Sequence, residues 1–228
     1  MTTITGKTDG EIKSDVLSEL KYEPSVKVTD IGVLVNGGTV TLNGYATSYA
    51  EKWNAVKTAK RVAGVRAIAD EIEVKYPESM KRTDGDIAAA AANHIEWSSW
   101  SIPPGAVQVT VREGLITLEG QMEWDYQRNA AEGAVRHLAG VKGVSNSMSI
   151  KPKVTAANVE TAIRSAFERT ALFEAKKVEV ETTGNKVTLT GKVRNNAERE
   201  EAERVAWAAP GVSSVNNEIT VEWSWFGE

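Results

Sequence analysis

His94 and His137 are the two imidazoles of the chain, and it has no cysteine. Metal or acid–base chemistry would have to begin with them. A helical metal site puts a second ligand three or four residues away, and neither histidine has one. Glu96 and Asp125 do not supply that spacing. Both histidines are read as surface or capping residues. Serines and carboxylates are frequent, but none falls into a nucleophile or acid/base pattern. Asn36-Gly37-Gly38 reads as a hairpin turn, and no glycine-rich phosphate loop is present. No catalytic residue, metal or cofactor is expected, so the chain reads as not an enzyme.

Side chains suited to binding are easier to find. Trp53, Val56, Lys57, Lys60 and Arg61 fall on one side of a helix at 100° per residue. Such a face has two uses. It can meet anionic phospholipid, where Trp anchors and cations contribute about 1 kcal/mol each, or a partner protein. Alternatively, Trp53 packs against a neighbouring part of the chain, as bulky amphipathic rings do at interfaces. The packing use is taken first. Inter-repeat contact is also assigned to Trp97, Trp100, Trp124, Trp207, Trp223 and Trp225. The aromatic end, residues 223–228, either folds back or meets a second copy. The run Glu198-Arg199-Glu200-Glu201 reads as a solvated helix face.

These residues are organised by a repeat. Val40-Thr41-Leu42-Asn43-Gly44 returns as Ile116-Thr117-Leu118-Glu119-Gly120 and as Val187-Thr188-Leu189-Thr190-Gly191. Twenty residues after each closing glycine stands a Gly-Val pair: Gly64-Val65, Gly140-Val141 and Gly211-Val212. Equal internal spacing marks three copies of one unit. Gly44, Gly64, Gly120, Gly140, Gly191 and Gly211 are assigned structural roles. The units are placed at residues 9–76, 83–151 and 157–222, after a loose start at 1–8.

Each unit reads as α-β-β-α-β. Asp9 is placed as the cap of the first helix, whose stripe is Ile12, Val16, Leu17 and Leu20. Ile31, Val33 and Val35 alternate as a strand, and Val40 and Leu42 make the second half-buried. Ser48 caps a helix running to about Ala63, and Gly64 stops it. Corresponding helices are expected from Trp124 to Ala139 and from Ala197 to Ala209. Counted from the strand glycine, the shared apolar positions of this helix are Ala55, Ala59 and Val62; Ala131, Val135 and Leu138; Ala202, Ala206 and Ala209. Trp53 and Val56 lie off that stripe. Val159, Ile163 and Phe167 start the third unit. The fold class is therefore α+β: two helices on one face of a three-stranded mixed sheet, three times over. Thr41, Thr117 and Thr188 then lie on the opposite face, either wet or covered by a neighbour.

The formal net charge is −4 over 228 residues. No unit is basic, which argues against nucleic acid as a partner. No stretch approaches the ~18 apolar residues of a membrane span, and no signal peptide is visible. A cytoplasmic protein is expected, or a periplasmic one if a leader has been removed. A unit of about 65–70 residues buries only about 60 % of its extended surface, so the units are expected to lean on each other.

The V/I-T-L-x-G strands, the alanine-rich helices after them and the three Gly-Val pairs together resemble the BON domain. The third strands match too, ending at Ile72-Glu73-Val74, Met148-Ser149-Ile150 and Ile219-Thr220-Val221. The resemblance implies a bacterial, non-enzymatic protein of osmotic or envelope stress, with phospholipid or protein contacts. It transfers no catalytic residues. One relative combines this domain with a LysM module and senses potassium, so small-cation sensing is a third expectation beside protein and phospholipid binding. This chain has no LysM segment.

Overall fold

The computed structural model describes residues 7–98, 101–152, 159–169 and 177–221. The first unit runs α1 (Asp9–Tyr22), β1 (Ile31–Asn36), β2 (Thr39–Ala46), α2 (Tyr49–Lys60) and β3 (Ala67–Val74). The second runs α3 (Asp84–Trp97), β4 (Val107–Arg112), β5 (Leu115–Met122), α4 (Asp125–Arg136), β6 (Gly143–Asn146) and β7 (Ser149–Ile150). The third runs α5 (Val159–Arg169), β8 (Val178–Thr183), β9 (Lys186–Val193), α6 (Asn196–Trp207), β10 (Ser214–Asn217) and β11 (Thr220–Val221). The V/I-T-L-x-G strand is central in every sheet. β2 pairs antiparallel with β1 and parallel with β3. β5 and β9 do the same with their partners, except that the third strand is split in two. The fold is α+β, three mixed sheets with helices on one face.

Each sheet packs its own core. Val40 and Leu42 are fully buried against Ile12, Val16 and Leu20 of α1 and Ala55 and Ala59 of α2. Ile116 and Leu118 face Ile87, Ala91 and Ala131, while Val187 and Leu189 face Ile163, Phe167 and Ala202. Alanines on the second helix let it lie close to the sheet. Thr41, Thr117 and Thr188 are half-exposed on the other face. Leu34, paired with Thr41, is 57 % exposed, so that face is wet.

The strand-ending glycine has a steric reason. Gly44, Gly120 and Gly191 have φ of 108°, 149° and 123°. Each lies opposite the first residue of the hairpin's other strand. A Cβ there would stand 2.2 Å from the Asp30 carbonyl oxygen, 2.1 Å from that of Ala106 and 2.1 Å from that of Lys177. The helix-ending glycines Gly64, Gly140 and Gly211 have φ of 94°, 90° and 88°. At Gly64 and Gly140 a Cβ would also press on Ile12 and Ile87 of the first helix.

Three expectations need correction. Thr8, not Asp9, is the N-cap of α1, in a reciprocal box with Glu11. Asp9, one residue later, reaches the hairpin and accepts from Gly37 N (2.8 Å) and Gly38 N (3.0 Å). Thr83 caps α3, and Asp84 accepts from Glu113 N and Gly114 N in the same way. These turn N–H groups lack a strand partner, so the carboxylate satisfies them. Second, α2 ends at Lys60, not Ala63, because its last turn tightens: Arg61 N donates to Thr58 O and Val62 N to Ala59 O. α4 and α6 also stop short of Ala139 and Ala209. Third, the run at 198–201 is not a solvated face. Glu198 is 8 % exposed and accepts from Arg194 N, Arg199 donates to Asn217 O, and Glu200 meets the first unit.

Candidate functional site

The second helix of each unit opens with a side-chain clamp. Ser48 caps α2 and accepts from Glu51 N. Glu51, 6 % exposed, accepts from Lys27 N at 2.8 Å and from Thr47 N and Oγ1 at 2.7 Å. Burial works to raise its carboxyl, but these donors outweigh burial and hold it below the ordinary range. Glu51 therefore adds stability above the ordinary carboxylate range, lost as pH falls through its lowered value. Gln127 and Glu198 hold the same position in the other units, each bonded to the chain just before its helix. The clamps fix where the three helices start, and the helices meet there.

Sixteen residues after the strand glycine stand Lys60, Arg136 and Trp207. Each touches the opening turns of another unit's second helix. The Arg136 guanidinium lies 3.6 Å from the ring centroid of Trp53, with Lys57 Nζ at 4.7 Å. The Arg128 guanidinium lies 4.8 Å from the Trp207 ring centroid. Lys60 Nζ lies 2.8 Å from Glu200 Oε1. So α2 leans its start on the end of α4, α4 on the end of α6, and α6 on the end of α2. Contacts of one sense that close after three steps make a ring.

Further groups seal each seam. Tyr49 of the first unit packs on the second unit's core, and the Tyr76 hydroxyl donates to Val141 O at 2.8 Å. Burial raises both phenols, keeping them neutral donors. Trp207 packs on the cores of the second and third units together. Asp125 is 7 % exposed, and burial pushes its carboxyl up against the opposing pull of Arg128 and Asn129. Asn196, 9 % exposed, donates from Nδ2 to Val65 O at 2.7 Å, joining the third unit to the first.

The structure thus redistributes the basic face expected on α2. Trp53 is half-buried between Lys57 and Arg136, and Lys60 is paired with the third unit. Val56 packs on its own core, and Arg61 sits 3.9 Å from Glu23. Lys57 remains exposed. Trp124 is half-buried just before α4. Trp97 is a correction: it is 88 % exposed at the end of α3, on the side of its helix away from Ile87, Ala91 and Ile95, and does not join units. Trp100, Trp223 and Trp225 lie outside the described residues. His94 and His137 are exposed. Among the described residues no cluster of three His, Asp or Glu could hold a metal, and no helix is long and apolar enough to cross a membrane.

The BON domain matches residues 8–76, 83–152 and 155–222. The chain belongs to the BON-domain family. Osmotically-inducible protein Y of Escherichia coli (strain K12) is 32 % identical over 146 residues, 63 % of this chain and 73 % of that protein. Two structures of CdsD, a structural protein of the type III secretion system of Chlamydia trachomatis, also match at 15 % identity. They cover 93 % and 96 % of this chain and 92 % and 100 % of those chains, with TM-scores of 0.27 and 0.25. In this BON chain, the three domains carry different residue types at the seam positions Trp53, Asn129 and Glu200 and Lys60, Arg136 and Trp207.

Proposed function

We propose that this BON-domain protein is a non-catalytic binding or scaffold protein of the osmotic stress response, acting through the outer surface of its ring. The observation that carries the reading is its 32 % identity with osmotically-inducible protein Y over 146 residues, within a chain that the family covers three times. The ring adds a physical reason: Trp53, Lys60, Arg136 and Trp207 of the second helices are engaged between units, so partners are met on the outside. Tyr22 and Trp97 occupy equivalent ends of α1 and α3, and each is 88 % exposed. Large rings left in water at matching places suit a protein contact.

Phospholipid binding through α2 draws less support, because Trp53 and Lys60 are engaged within the chain. The test is complementation of a deletion strain in hyperosmotic medium. The wild-type gene is expected to restore growth, and Tyr22→Ala with Trp97→Ala to fail at least ten-fold while remaining folded by circular dichroism. Full rescue by the double variant would remove the outer aromatic surface from the account. A deletion strain indifferent to osmotic upshift would remove the osmotic reading.

A further inference from the structure

The three seams are not equal. The first and second units share Tyr49, and the second and third share Trp207, each an aromatic inserted into a neighbouring core. Across the third seam, no apolar side chain of either core packs on the other among the described residues. A cleft of about 280 Å³ remains there, lined by Asp9, Ile12, Gly38, Gly64, Arg66 and Val221. The third unit is also joined to the first by no direct peptide linker, since they are the two ends of the repeat.

Among the described residues, what holds this seam is polar. Asn196 bonds Val65 O, and Lys60 pairs with Glu200. The side chains of Lys60 and Glu200 are 41 % and 49 % exposed, whereas that of Arg136, stacked on Trp53, is 16 % exposed. Exposed ion pairs are screened by salt, and the screening length falls from about 10 Å at 0.1 M to about 3 Å at 1 M. Partly dehydrated cation–aromatic stacks and buried rings respond much less.

We propose that the ring is a clasp, opening and closing between the third and first units, with ionic strength setting the balance. Opening uncovers Asn196 at the start of α6 and Val65 beyond the end of α2, both buried in the closed ring. This gives the osmotic reading a physical input and rests on that reading only for its purpose in the cell. The response is to ionic strength, not to one cation.

Because the chain has no cysteine, dye pairs can be placed at will. Glu71→Cys with Glu179→Cys spans the first and third units, and Glu71→Cys with Glu119→Cys the first and second; all three sites are exposed. Single-molecule energy transfer is followed as KCl rises from about 0.05 to 0.5 M. The long-distance share of the first–third pair is expected to rise about three-fold. The first–second pair should stay constant, sucrose of equal osmolality should do nothing, and NaCl should match KCl. Lys60→Glu should open the seam at low salt, and Glu200→Lys added to it should close it again. A first–third distance indifferent to salt, or both pairs moving together, would overturn the clasp. So would a sucrose response, a difference between KCl and NaCl, or no effect of Lys60→Glu. The distance measurement is made on purified protein, so its failure is separate from failure of complementation.

Discussion

Gly191→Ala is expected to unfold the third unit, at a cost of about 4 kcal/mol or more. Two penalties act together. The residue sits at φ 123°, which a side-chain-bearing residue rarely adopts. Its new Cβ would lie 2.1 Å from the backbone oxygen of Lys177, which cannot rotate aside as a side chain can. The only escape is to part the β8–β9 hairpin, and β9 is the strand on which both helices and the last strands rest. Gly44→Ala and Gly120→Ala should do the same to their own units. Gly37→Ala is the control: φ is 58° and nothing lies within 4 Å, so about 1 kcal/mol is expected. Hydrogen exchange resolved by peptide reads each unit separately. Near-native protection of 178–193 in Gly191→Ala would contradict the steric argument.

Trp207→Ala should cost about 3 kcal/mol and split one unfolding transition into two. The ring is half-buried yet belongs to two cores, so truncation leaves a void on both sides of one seam. It also removes the aromatic face under Arg128, worth about 0.5–1 kcal/mol at such sites. The third unit then unfolds ahead of the others in a urea titration. Trp207→Phe should stay within about 1 kcal/mol of wild type, because the indole nitrogen is buried with no protein partner and is no loss. A Trp207→Ala protein that keeps a single transition at the wild-type midpoint would show that Trp207 does not couple the units.

Much of the unit could be read directly because its signals are local. Spacing between glycines, alternation in Val40 and Leu42, and the alanine stripe at Ala55 and Ala59 all concern residues within one element or its neighbour. Asp9 was harder: helix starts favour Asp as a cap, but Thr8 stands one place earlier with Glu11 completing its box. Glu198 hid inside a charge run whose composition resembles a surface, while its carboxylate turns back to the chain before α6. That Trp53 and Trp207 meet neighbouring units was readable; that the seams close into a ring was not, since each uses different chemistry: Trp53 with Arg136, Arg128 with Trp207, Lys60 with Glu200. A partial signal is that the repeats carry different residue types at Trp53, Asn129 and Glu200 and at Lys60, Arg136 and Trp207. Trp97 shows its limit, because an aromatic that breaks a repeat can also face solvent.

Carbodiimide coupling of the wild-type protein at low salt, read by mass spectrometry, tests the closed ring most directly. Lys60 and Glu200 are 140 residues apart in sequence but 2.8 Å apart in space, close enough to join without a spacer. An intramolecular Lys60–Glu200 peptide is expected in the monomer, alongside the Lys52–Asp70 link within the first unit. Recovery of Lys52–Asp70 with no Lys60–Glu200 product, or with that product only in cross-linked dimers, would contradict a ring closed within one chain.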